Sequence, residues 1–302
     1  MKNLPNLCNL RMKSLTLTPL SNIPLIRHGD DLADILLSSL TSTHDTQHPS
    51  PIPRPPSLED GDILVLAQKI VSKAEGRMVN LATVTPSERA LELAWQSEKD
   101  ARVVELMLRE SNEILRVRAG TIIVEHRLGF VCANAGIDHS NVGSPLSATP
   151  SAPPQMSTFG EGSLRGEGPR TNSEDWVLLL PQDPDRSSRV IRDKVQAKTG
   201  KRIGVMIIDS HGRAWRVGTV GMCIGLSGIP AVVDERGWKD LFGYTLRVTV
   251  VGVADELAAA ASLVMGQAAE GTPVVHVRGF PYPLREGSLA ELLRPKDQDL
   301  FR

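Results

Sequence analysis

The order of apolar and polar positions predicts a chain of interleaved strands and helices. Residues 62–71 (DILVLAQKIV) form an apolar run of strand length. Thr85-Pro86-Ser87-Glu88 reads as a capping box with proline at the first helical position, and predicts a helix through about Gln96. Residues 101–109 place Val103, Val104, Met107 and Leu108 on one face at helical spacing. Residues 121–125 (TIIVE) and 176–180 (WVLLL) read as buried strands. Asp183-Pro184 opens a helix that ends near Gly200. Residues 205–208 predict a strand ending at Asp209, and 246–252 another. Residues 255–265 (DELAAAASLVM) predict a helix, and 273–277 (PVVHV) a closing strand. Strands interleaved with helices predict an α/β (α+β) fold around a mixed β-sheet with flanking helices.

Two stretches interrupt this pattern. Residues 41–58 carry five prolines, and residues 143–173 carry five prolines, five glycines and six serines. Neither can bury much apolar area, so both are expected as surface insertions without fixed structure. Residues 1–14 are expected to be a flexible tail, which leaves 15–302 as one catalytic unit.

Composition narrows the function. Lys plus Arg is 34 and Asp plus Glu is 35, a formal net charge of -1. This argues against a protein held to nucleic acid by bulk positive charge, and at 4% aromatic residues are too scarce for base-stacking platforms. The three cysteines, Cys8, Cys132 and Cys223, form no CxxC pair, which fits a reducing cytoplasm. No apolar stretch is long and unbroken enough to span a membrane or act as a secretory signal. The signatures GxxxxGK[ST], GxSxG and HExxH are absent, and no GxGxxG follows a strand.

Candidate chemistry lies in two places. Asp138, in 134–141 (NAGIDHSN), reads either as an Asx-turn residue or as a ligand for a hard cation. Asp209, at the end of an apolar strand, reads either as a turn cap or as a crevice carboxylate, with Ser210 a further oxygen donor. His139 and His211 adjoin these acids. Lys69, Lys73, Arg213 and Arg216 are either phosphate partners or solvated charges.

The segments AQKIVSKAEGR, RESNEILR, GFVCANAGIDHSNV, LLLPQDPDRSSRVIR, VMIIDSHGRAWRVGTVGMCIGLSGI and DLFGYTLRVTVVGVADELAAAASLVMG occur here in one order, closed by VVHVRG. In that order they resemble the coenzyme F420:L-glutamate ligase family, over about residues 20–302 with the two insertions unmatched. The resemblance implies a family-specific gamma-glutamyl ligase fold, a homodimer, and a GTP-dependent amide ligase. GTP would phosphorylate a carboxylate of the F420 precursor, and L-glutamate would attack the acyl phosphate, with further gamma-linked additions. The form expected lacks the C-terminal flavin-reductase-like domain of many relatives.

Residue by residue, the resemblance implies GTP contacts at Ile23, Pro24, Leu25 and Ile26, and at Gln68, Lys69, Lys73 and Asn141. A last GTP segment comprises Leu263, Val264, Met265, Gly266, Gln267, Ala268, Ala269 and Glu270. Two divalent cations, Mg²⁺ or Mn²⁺, with K⁺ as a further ion, are implied at Asp138, Asp209, Ser210 and Gln267, where Gln267 stands at a position that can bear Glu. Asp138, Asp209 and Lys73 are the implied catalytic residues. The competing readings are a metal-dependent phosphohydrolase and a GTP-binding protein using the same two-metal site.

Overall fold

A computed structural model describes residues 14–41, 57–143 and 175–299. In chain order the elements are β1 (Thr16–Pro19), α1 (Leu32–Thr41), β2 (Ile63–Ala67), α2 (Gln68–Ala74), β3 (Met78–Asn80), α3 (Glu88–Ser97), α4 (Ala101–Arg109), β4 (Ser111–Arg118) and β5 (Thr121–His126). There follow β6 (Val131–Ala133), β7 (Trp176–Leu178), α5 (Pro184–Thr199), β8 (Gly204–Arg213), β9 (Arg216–Ser227), β10 (Val233–Asp234), β11 (Val250–Val251), α6 (Val253–Met265) and β12 (Val274–Arg278). Helices and strands flank and build a mixed sheet, as the apolar pattern implies.

Among the described residues the central sheet has five strands in the order β1-β12-β2-β8-β9. Only β2 and β8 pair parallel; the other pairs are antiparallel. β2 reads as an unbroken apolar run because both of its faces are buried. Leu64 and Leu66 pack on one side with Ile70 and Val71 of α2, Leu36 of α1 and Ile191 of α5. Ile63 and Val65 pack on the other with Ala254, Leu257, Ala258 and Ala261 of α6. A third core joins α3 and α4 to the β4-β5-β6 sheet through Leu93, Val104, Met107, Ile122 and Val124.

Several sequence expectations change. The 62–71 run is not one strand: it divides at Ala67, and the last part is α2. Ser87, not Thr85, caps α3, its side chain accepting from Ala90 N at 3.2 Å, so Pro86 lies outside the helix. The 246–252 strand shrinks to Val250–Val251, because Leu246 N instead donates to Trp238 O within an arm between β10 and β11. The strand expected to end at Asp209 runs on to Arg213 and turns back as β9, so Asp209 lies within β8. What ends near Asp209 is the parallel pairing, whose last register is Ala67 with Ile208.

The insertion boundaries also move. Thr41 closes α1, Leu58 packs on the first core and the Ser57 carbonyl accepts from Arg278 Nη2 at 2.7 Å. The rest of 41–58, nearly all of 143–173 and the tail 1–13 lie outside the described residues.

Candidate active site

β2 ends at Ala67 and α2 begins at the next residue, so the strand delivers Gln68 and Lys69 on the first helical turn. Gln68 is buried. Its Oε1 accepts from Ser72 Oγ at 2.8 Å, one turn along the same face, and its Nε2 donates to Asp138 Oδ2 at 2.6 Å. Lys69 Nζ lies 3.1 Å from Asp138 Oδ1 and donates to Ser140 O and Oγ, each at 3.0 Å. Lys73, four residues on, donates to Asn141 O at 2.7 Å. Burial and the neighbouring Lys69 charge both lower the Lys73 pKa.

A left-handed turn brings Asp138 to these groups. Asn134, Ala135 and Gly136 have φ of 53°, 52° and 62°, a conformation disfavoured for alanine and held by its surroundings. Asn134 Oδ1 accepts from Ile122 N at 3.1 Å, and Asp138 exchanges backbone hydrogen bonds of 3.0 and 2.9 Å with Leu178 of β7. Asp138 is therefore fixed by its backbone and by two side chains of α2. Its carboxyl is pushed up to about 6, chiefly by burial and further by the charge of Asp209, against the pull of Lys69.

Consecutive strand residues face opposite sides of a sheet, and β8 divides its two candidate ligands in this way. Asp209 shares its side with His211, whose Nε2 is 3.1 Å from Asp209 Oδ2. Phe130 lies between the rings of His211 and His126, with centroids 5.1 and 5.3 Å away. Cys132 is close enough to Asp209 that the carboxylate adds to burial in pushing the thiol up to about 12. Ser210 turns the other way, donating to Gln267 Oε1 at 2.9 Å, and Gln267 Nε2 donates to Ser262 Oγ at 2.9 Å. The four expected cation ligands thus fall into two pairs, Asp138 with Asp209 and Ser210 with Gln267.

The loop after α6 closes the arrangement. Asn141 Nδ2 donates to Ala268 O at 3.0 Å, and Glu270 Oε2 accepts from Ala268 N at 2.8 Å. This joins Gln68, Lys69, Lys73, Asn141 and the Gly266–Glu270 loop into one hydrogen-bonded rim. Within the preceding helix Met265 is buried, Val264 packs on the second core and Leu263 faces outward. Ile23 and Ile26 pack against the first core beside α2, Leu25 is exposed, and Gly29 N donates to Ala74 O at 2.9 Å. The 23–26 segment is therefore set by the same helix that carries Lys73. Arg213 and Arg216 lie where β8 turns into β9, and the Arg213 guanidinium reaches Gly218 O at 3.5 Å within that hairpin.

The residues not anticipated are those that hold the others. Ser72 fixes Gln68, and the helical i,i+4 spacing could have shown it. His211, which the sequence already places beside these acids, is tied to Asp209 by the i,i+2 spacing of the strand. Nothing local marks Phe130 or Cys132, which reach the site from β6 and the residue before it. Among the described residues no three His, Cys, Asp or Glu side chains gather as a ligand set.

The F420-0:gamma-glutamyl ligase family matches this chain over residues 21–158 and 166–279. The coenzyme F420:L-glutamate ligase of Methanothermobacter thermautotrophicus is 42% identical over 290 residues, which cover 95% of this chain and 99% of the relative. The enzyme of the same name from Archaeoglobus fulgidus is 40% identical over 284 residues, 94% of this chain and 95% of the relative. That of Methanosarcina barkeri is 35% identical over 282 residues, 93% and 92% of the two chains. Matched along nearly all of its length, through the turn that carries Asp138 and the strand that carries Asp209, this ligase belongs to the F420-0:gamma-glutamyl ligase family.

Proposed function

We propose that the protein adds L-glutamate to the deazaflavin coenzyme F420 precursor in a GTP-dependent reaction that passes through an acyl phosphate. The observation that carries this reading is the convergence of Gln68, Lys69, Lys73, Asp138, Asn141 and the 266–270 loop beside Asp209. A triphosphate held without a glycine-rich loop needs cationic and amide groups from several segments, and this rim provides them. Hydroxide is a poor leaving group, so a carboxylate must be activated before an amine can displace its oxygen. In the first step a carboxylate oxygen of the precursor attacks the γ-phosphorus and GDP departs. In the second the glutamate amino nitrogen attacks the acyl carbon, phosphate leaves and the nitrogen gives up a proton.

The donors suit hard divalent cations. Asp138 and Asp209 are like charges near enough for one to raise the pKa of the other, a repulsion that Mg²⁺ or Mn²⁺ between them would relieve. Ser210 and Gln267 offer neutral oxygens for a second ion. Bound cations would neutralise triphosphate charge and orient the γ-phosphoryl group. Lys69 and Gln68 fix the Asp138 carboxylate, His211 fixes Asp209, and Lys73 is anchored by one hydrogen bond, which among the described residues leaves its other protons for phosphate oxygens. Two copies assemble as a homodimer, a reading supported by the exposed apolar arm between β10 and β11.

Mass spectrometry after incubation with the glutamate-free precursor, GTP, Mg²⁺ or Mn²⁺ and L-glutamate tests the reading. A product heavier by one or more glutamyl units, with stoichiometric GDP and phosphate, is expected. Asp209→Asn should give none while keeping its circular dichroism spectrum. GTP cleavage that proceeds equally without glutamate or precursor would replace the ligase by a phosphohydrolase.

A further inference from the structure

A cavity of about 260 Å³ opens on the far side of the Asp138 turn. Leu81 and Val103, both buried, form its apolar floor. His139, Lys99 and Arg102 supply nitrogen groups, and Asp100 and Asp175 stand at its edge. Its volume lies just below the range of drug-sized sites and suits a ligand of amino-acid size.

The cationic wall is held firmly. Lys99 lies between two helix caps: Glu98 ends α3 with φ 55°, and Asp100 opens α4, its carboxylate accepting from Arg102 N at 2.8 Å. Lys99 N donates to Ala94 O at 3.1 Å, so the residue's backbone is fixed on both sides. Its ammonium is half-buried and has no hydrogen bond or ion pair among the described residues. Burial lowers its pKa, the sign of a charge lacking compensation. Arg102 commits Nε and Nη2 to Asp100, at 3.0 and 2.6 Å, and its Nη1 makes only a long ion pair with Asp175 at 4.0 Å, beyond hydrogen-bond distance.

We infer that this cavity is a subsite for the free carboxylate of a glutamyl group, received by Lys99 and by Arg102 Nη1, which makes no hydrogen bond among the described residues. The apolar floor takes the methylenes, and Asp175 faces the ammonium or amide nitrogen. The inference rests on the proposed ligase reaction for its ligand. It is separate from the phosphate rim, because Asp138 and His139 are neighbours that serve different elements: Asp138 meets Gln68 and Lys69 of α2, whereas His139 meets the α3–α4 turn. The subsite thus adjoins the reacting centre without competing for the nucleotide. The glutamyl group is either incoming L-glutamate or a unit already attached to the coenzyme.

Lys99→Ala and Lys99→Arg, in the full-length protein, separate these cases. Calorimetric titration uses L-glutamate and the dipeptide γ-L-glutamyl-L-glutamate as probes, with GTP as a control. Loss of about ten- to a hundredfold in affinity for either probe in Lys99→Ala, recovered in Lys99→Arg with GTP affinity unchanged, is the expected result. If the free amino acid is the occupant, the KM for L-glutamate in the first addition rises by a similar factor while kcat holds. If the attached tail is the occupant, the first addition proceeds normally and products with two or more glutamates disappear. Equal binding of both probes to wild type and Lys99→Ala, or binding of neither to wild type, overturns the subsite. The titrations decide this even if the wild-type protein makes no ligation product, a failure that would fall on the reaction instead.

Discussion

Asp138 is held at a cost to the folded state. Its carboxyl titrates near 3.8 when unfolded and near 6 when folded, because burial and Asp209 disfavour the anion. Between those values the folded protein binds the extra proton, so the contribution of this carboxyl to stability falls as pH rises from about 4 to about 6 and then levels. The rise corresponds to about 3 kcal/mol withheld above pH 6. Asp138→Asn, measured by denaturant titration with EDTA present, should therefore be more stable than wild type at pH 7.5, and the gain should vanish near pH 4. A gain independent of pH would remove the carboxylate as its source. Lys73 makes the opposite kind of contribution. Its ammonium is anchored at Asn141 O and faces the rim, so Lys73→Ala should weaken GTP binding by about 1.5–3 kcal/mol in calorimetry with Mg²⁺ present. Wild-type affinity in that variant would leave the phosphates to Lys69 and the cations.

At the level of elements, one oxygen decides where α3 begins. The four-residue signal at 85–88 fits two registers, and only the path of the chain selects Ser87 as the cap. Ser87→Ala should cost about 1 kcal/mol in equilibrium unfolding, whereas Thr85→Ala should be near neutral. The reverse ranking would restore Thr85 to the cap. Ser87 N also donates to Glu105 Oε2 at 3.0 Å, tying this end of α3 to α4, so the turn holding Lys99 depends on both helices. α6 is placed by a glycine: a Cβ on Gly221 would stand 2.5 Å from Ala258 O, so β9 and α6 approach closely only because none is present. That approach brings Ser262 and Gln267 to Ser210.

For the whole molecule, the arm between β10 and β11 is the unbalanced feature. Leu241 and Phe242 are 99% and 95% exposed, with Val248 at 86%. Monomers rarely leave such a patch uncovered. Sedimentation of the wild type should give a dimer, and a Phe242→Asp, Leu241→Asp double variant a folded monomer. A monomeric wild type at micromolar concentration would remove the dimer from the proposal. Among the described residues no helix is long and apolar enough to cross a membrane.

How much of this was legible depended on the range of the interaction. The apolar runs at β2, β5, β8 and β12 and the helices α3 to α6 stand in the sequence because burial of a strand or helix face imposes a local period. Motif order identifies the family for the same reason, being a property of the chain itself. The division of 62–71 into β2 and α2 was not legible, since a buried strand and a buried helix carry the same apolar residues. Nor was the continuation of β8 past Asp209, because its small and polar residues are held as a strand by pairing with β9. Sequence alone determined which carboxylates, lysines and amides the protein has to work with. Tertiary structure decided that Asp138 meets α2 and Asp209, that Ser210 turns away toward Gln267, and that Lys99 stands beside His139 with no ion pair among the described residues. Those pairings join residues tens of positions apart, and their energies come from burial and charge that exist only once the sheet and its flanking helices have closed.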